Sequence, residues 1–285
     1  MSKIFNLNGD VIFQTEDLPD LIDEILSEIT NSKSTCSALQ SAGKFSIEEA
    51  VRLRKSLSEA YLVSCYLGSA NLSFGDLRGS NMTGSFMCSA DLRHADISSA
   101  KLIDVDLSEA NLSECIALKS NFVSSRFFRA DLTKSNMKES DLTGAYLVSA
   151  RLGYADLRGV NFSGANLDDA DLSYSDLSGA IFRGAYLDRA VLTGANLTGA
   201  DLRGSSMLGT EINHANIDQI KYDCNELEHA RFDETVRVKI EKDLALYLKI
   251  EKELSGSGLL NIDKVEWLNR RYGRGASDRL IDNIK

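Results

Sequence analysis

The chain holds 42 carboxylates, five cysteines and three histidines, the residue types that catalysis or metal binding would need. His94, His214 and His229 each stand two residues after a large apolar residue and have no second ligand at metal spacing. No H-x-E, H-E-x-x-H, C-x-x-C, phosphate-loop or G-x-S-x-G motif occurs. Cys65 and Cys115 occupy positions where a small residue recurs, which suits a buried thiol. An odd cysteine count without framework spacing points to a reducing compartment. Of the 23 carboxylates within residues 55–232, 12 hold one fixed slot of a repeat instead of pairing as acid and base. No enzymatic activity, no cofactor and no metal are expected. The chemistry left to the side chains is recognition by rows of surface groups.

Those rows follow from spacing. Every fifth residue from Leu57 to Phe232 is large and apolar, about 36 positions, and Ala117 is the only small one among them. Two residues before these stands a small one at 30 of the sites: 19 Ala, 8 Ser, 2 Cys and one Gly. Between them lies Asp or Asn in most units, as in Ala70-Asn71-Leu72 and Ala200-Asp201-Leu202. A period of five fits neither a helix nor a strand, so the chain must turn every five residues. One large and one small side chain per unit can point inward while the other three face water or turn. A lone unit has nothing to bury against, so units must stack, and each buried Leu or Phe contributes roughly 1.5–3 kcal/mol.

This pattern resembles the pentapeptide-repeat family, A(D/N)LXX, over residues 55–232. The resemblance implies a mainly β solenoid, a right-handed quadrilateral parallel β-helix with four units, or 20 residues, per coil. That gives about nine coils and a rod about 43 Å long. It also implies a non-enzymatic interaction scaffold. Some members, of the quinolone-resistance type, mimic duplex DNA and bind DNA gyrase or topoisomerase IV, which makes gyrase binding the alternative. This chain departs from them in having no loop insertions and a longer C-terminal region. It also has Arg151, Arg231, Lys101 and Lys221 within the acidic columns.

The flanks lack the five-residue period. Residues 1–54 read as an α+β cap. Lys3–Leu7 and Val11–Phe13 around Asn8-Gly9 suggest a hairpin, Leu18–Ile29 an amphipathic helix, and Ser46-x-x-Glu49 a capping box. Residues 233–285 read as helical: 235–254, 261–272 with the single Trp267, and 276–284. Val236, Ile240, Leu244, Tyr247 and Leu248 share one face, which makes a homodimer through these helices an expectation, with Trp267 beside them. The cluster Arg270, Arg271, Arg274 and Arg279 suits an acidic face.

With 20 residues per coil, the surface divides into four faces, whose first core residues are Leu57, Leu62, Leu67 and Leu72. Face one puts Asp76, Asp96, Asp156 and Asp176 in a column, broken by Ile116. Face four adds further acids, so acid gathers along one side. Face three puts Tyr66, Phe86, Tyr146 and Tyr186 outside, and a second column after face four holds Phe74, His94, Tyr154 and Tyr174. Exposed aromatic rows mark interfaces. His94 and His214 fall about six coils apart, too far to share a metal. The repeat region carries 16 Lys and Arg against 23 Asp and Glu, net −7 of the chain's −10. Direct nucleic-acid binding is therefore not expected. No apolar run of about 18 residues marks a membrane span, and no secretory signal is present, so the cytoplasm is expected. At Cys115-Ile116-Ala117-Leu118 the small core residue predicts a kink or a partner contact.

Overall fold

A left-handed backbone residue recurs at every fifth position from Glu59 to Gln219, with φ between 54° and 72°. It stands two residues after each large apolar side chain. In units such as Leu57–Ala60, the Ala60 N–H donates back to the Leu57 carbonyl at 3.1 Å. Positive φ at the third residue and this bond make a type II turn. Glycine takes some of these sites, but Phe74, Tyr154 and Tyr174 take others at φ 58–61°. A β-carbon there costs about 1–2 kcal/mol, a cost the stacked coils must offset.

The computed structural model describes residues 3–5, 11–14, 51–52, 56–222, 227 and 229–240. Four turns close one coil. Parallel bridges join each residue before a core position to the one 20 further on, from Tyr61–Asn81 to Glu211–Arg231. Each unit ties its coil to the next through three bonds, as in Leu57 N–H to Asp76 O (2.7 Å), Glu59 N–H to Arg78 O (2.8 Å) and Asn81 N–H to Ala60 O (2.8 Å). The fold is a β-helix. Its interior is one continuous column of the large residues and their small partners, nearly all fully buried.

Serine in the small slot is more than a space-saver. The Ser85 hydroxyl donates to Leu62 O (2.6 Å) and accepts from Cys65 N–H (2.9 Å), bridging the turn one coil back. Ser140 and Ser125 do the same for the turns at Ala117 and Leu102. In these turns the buried hydroxyl thus takes over or reinforces a turn hydrogen bond, whereas the Ser135 hydroxyl is buried without a partner among the described residues.

The kink expected near Ala117 is absent. Ile116 bridges Asp96 and Asn136 in register, Ala117 is buried, and Lys119 keeps the left-handed turn at φ 55°. Leu118 stays half-buried outside and does not swing inward. The same coil carries two buried rings, Phe122 and Phe127, packed edge-on with centroids 5.3 Å apart.

Near the ends, Val51 joins the core and lies against Gly75, where an added Cβ would sit 3.2 Å from its Cγ2. At the other end, residues 234–240 form a helix. Asp233 caps it, accepting Val236 N–H at Oδ1 (3.0 Å). Val236 is buried in the rod's core, and Ile240 packs against it. Of the apolar face assigned to dimerisation, Val236 is therefore covered by the chain's own core, and Ile240 is half-buried against it. Leu244, Tyr247, Leu248 and Trp267 lie outside the described residues, as do helix 18–29 and the Ser46 box. Strand β1 (Lys3–Phe5) pairs antiparallel with β2 (Val11–Gln14), with a register shift between Ile4 and Phe5.

Candidate interaction surface

Because coils stack in register, the residue before and the residue after each core position form outward columns along each face. The histidines occupy turn tips or exposed backbone, not a cleft. His94 stacks on Phe74 (centroids 4.6 Å, 20°) and meets Glu114 at 3.5 Å. His214 Nδ1 lies 2.6 Å from Asp233, and its N–H also donates to that carboxylate. Among the described residues no three His, Cys, Asp or Glu side chains gather to hold a metal ion.

The acidic column of face one does not stand bare. The Arg78 guanidinium clamps Asp76 through Nε (2.7 Å) and Nη2 (3.0 Å) and reaches Asp96 at 3.9 Å. Arg158 does the same for Asp156 (2.7 and 2.5 Å) and Asp176 (3.8 Å). Each Asp pair therefore shares one guanidinium. The Arg78 hydrogen bond outweighs burial and holds the Asp76 carboxyl down to about 2. The signal was present in the sequence as Asp-Leu-Arg at 76–78, 91–93, 156–158 and 201–203. Column counting missed it because the arginine lies in the next column. At Asp201, burial pushes the carboxyl up, but Arg203 and Arg183, both at 2.7 Å, bring it to about 2. Ile116 is exposed between Asp96 and Asn136, an apolar spot within this column.

Face three is different. Tyr66, Phe86, Tyr146 and Tyr186 are all exposed, Tyr66 most at 68%. They do not form one continuous stack. Tyr66 and Phe86 lie with centroids 6.1 Å apart, and the Phe86 ring covers Gly68, where an added Cβ would sit 3.0 Å from it. Asn166 separates Tyr146 from Tyr186. The column two residues further on adds half-buried Phe128 and Val148 and exposed Leu208 to the same side, residues that reading a single column did not include. On the corner after face four, Tyr154 and Tyr174 stack at 5.2 Å and 12°.

Two cysteines keep the buried-thiol expectation from being uniform. Cys115 is free and buried, and burial pushes its thiol up to about 12. Cys65 is instead disulfide-bonded. A small core slot near the rod's first coil accepts a half-cystine as readily as a thiol.

The profile of the family described as pentapeptide repeats matches in 8 copies, over 56–84, 70–108, 106–144, 145–184 and 185–220. No curated protein sequence matches the chain. Among solved structures, HetL of the cyanobacterium Nostoc sp. strain PCC 7120, a pentapeptide repeat protein involved in regulating heterocyst differentiation, is similar. It shows 29% identity over 62% of this chain and 87% of its own, at a TM-score of 0.30. A second pentapeptide repeat protein from Nostoc PCC 7120 shows 30% identity over 36% and 84%, at 0.33. QnrB1, a plasmid-mediated fluoroquinolone resistance protein, shows 18% identity over 65% and 95%, at 0.28.

Proposed function

Because the chain belongs to the pentapeptide-repeat family, we propose that it is a non-enzymatic, right-handed rod of about nine coils that presents one long side to a protein partner. The observation that carries this is the contrast between two sides. Face three exposes Tyr66, Phe86, Tyr146 and Tyr186, whereas the acids of face one are clamped by Arg78 and Arg158. Exposed aromatic rings supply contact area at low entropic cost and dominate interface energetics. The hydrogen-bonded ladder holds their spacing fixed, so a partner meets a preorganised surface.

The experiment is retention of partners from native extract by the immobilised full chain, beside a variant carrying Tyr66→Ser, Phe86→Ser, Tyr146→Ser and Tyr186→Ser. A specific partner held by the wild type and lost by an equally stable variant supports face three. Undiminished retention rejects it.

The DNA-mimic alternative draws on the net charge of −10 and the Asp76–Asp96 and Asp156–Asp176 ladders. The guanidiniums lying on those ladders weaken it, because a mimic of duplex phosphates needs uncompensated negative charge. A gyrase supercoiling assay with a quinolone present decides. The absence of both inhibition and protection at tens of micromolar protein would remove this alternative.

A further inference from the structure

Arg126 and Arg129 break the rule that the rod's other arginines obey. Every other arginine between 56 and 232 has a carboxylate at 2.5–3.6 Å. Among the described residues these two form no ion pair. The contrast is sharpest within one column. Arg189 reaches back one coil and holds Asp169 with two nitrogens, at 2.7 and 2.8 Å. Arg129 has Glu109 in the equivalent place, yet its guanidinium lies over the Phe128 ring, 4.9 Å from the centroid. Arg126 is the bridge partner of Asp106. That carboxylate is taken up instead by the Ser108 hydroxyl and N–H, at 2.6 and 3.0 Å.

These arginines sit among face three's apolar groups. Arg126 also bridges Tyr146, and Arg129 N–H donates to Val148 O at 3.1 Å. The residues on either side of an inward core residue face the same way, as Arg78 on Asp76 and Arg158 on Asp156 show, and neighbouring coils lie about 4.8 Å apart. Arg126 and Phe128 on one coil and Tyr146 and Val148 on the next therefore make a two-by-two block, with Arg129 lying over Phe128. Arg126, Arg129 and Tyr146 are exposed, while Phe128 and Val148 are half-buried. Arginine beside aromatic rings is the composition of an interface hot spot.

We propose that this block docks an acidic segment of a partner protein, with carboxylates on either side of an apolar residue. The proposal rests on the scaffold reading and specifies where on face three the partner's charge is met. Each free guanidinium can take a carboxylate in bidentate geometry, and the Phe128–Val148 patch takes the apolar side chain. The rod's overall negative charge turns away nucleic acid and favours short-range pairing over long-range capture.

The test is fluorescence anisotropy with a fluorescein-labelled peptide of Glu-Leu-Glu-Tyr repeats, titrated with the full chain at low salt. The same peptide with Lys for Glu is the control probe. Saturable binding of the acidic peptide is expected, weakened at least about tenfold by Arg126→Glu with Arg129→Glu. Lys101→Glu with Lys221→Glu, the same charge change on face two, should alter it by less than about twofold. Thermal melts establish that each variant is folded. Three results would overturn the proposal: no saturable binding, equal weakening by both double variants, or equal binding of the lysine peptide. If the serine variants lose the partner in the retention experiment while the arginine variant keeps it, the scaffold stands and this site falls.

Discussion

Replacing Gly164 and Gly194 with alanine separates two costs that the repeat places at the same turn position. Both residues are left-handed, at φ +65° and +69°. An alanine β-carbon in that region costs about 1–2 kcal/mol. The stiffer unfolded chain returns about 0.4–1 kcal/mol. Gly164 has nothing within 4 Å of an added Cβ, so Gly164→Ala should destabilise by the difference, about 0.5–1 kcal/mol. At Gly194 the new methyl would lie 2.6 Å from the Tyr174 ring. The ring must lift, and its stack on Tyr154 weakens, adding about 0.5–1.5 kcal/mol. The reverse change, Ser124→Gly at φ 60°, should be neutral or stabilising by up to about 1 kcal/mol. Equilibrium urea unfolding reads these differences, followed by circular dichroism and by a second probe to establish a single transition. A stabilising Gly164→Ala would refute the turn geometry. Equal effects at the two glycines would refute the Tyr174 contact.

Asp201 is nearly buried between two guanidiniums and titrates at about 2. A folded value below the unfolded one gives stability that is full above about pH 4 and lost as pH falls through about 2. Asp201→Asn should therefore cost about 2 kcal/mol at neutral pH, with the gap closing between about pH 4 and 2 in urea midpoints. Burial, aided by Asp106, pushes the Cys88 thiol up to about 11. Its alkylation, followed by mass spectrometry, should be slow at neutral pH and quicken towards that value, while Cys115 should react only on unfolding. Asp233→Ala removes the cap at residues 234–240 and the anchor of His214. It should cost about 1–2 kcal/mol and speed amide exchange first in those residues and in the coil they cover.

Burial was legible because it is written in one dimension: a large residue at every fifth position leaves the chain no other way to hide its leucines. Compensation was not, because it acts across coils or columns. Ala117 shares its coil with the buried rings Phe122 and Phe127, five and ten residues on, which a column-by-column reading separates. The Asp76–Asp96 stripe read as open acid because Arg78 belongs to the next column. At Val236 and Ile240 a face for a second chain and a lid on the rod's own core need the same apolar spacing, so the sequence does not separate the two. Arg129 and Arg189 hold the same turn position with an acid one coil back, Glu109 and Asp169, and the residue before each, Phe128 against Asp188, is the sequence difference that goes with the guanidinium lying on the ring.

Site-specific photo-crosslinking tests most directly which side of the rod works. A benzophenone side chain would be placed at Ser108 or Ser206 on face three, and at Ser98 or Ser178 on face one, in the full chain in cells. Adducts to one common partner from Ser108 and Ser206, and not from Ser98 and Ser178, are the predicted result. Adducts from Ser98 and Ser178 with none from face three would contradict it and return the function to the acidic side.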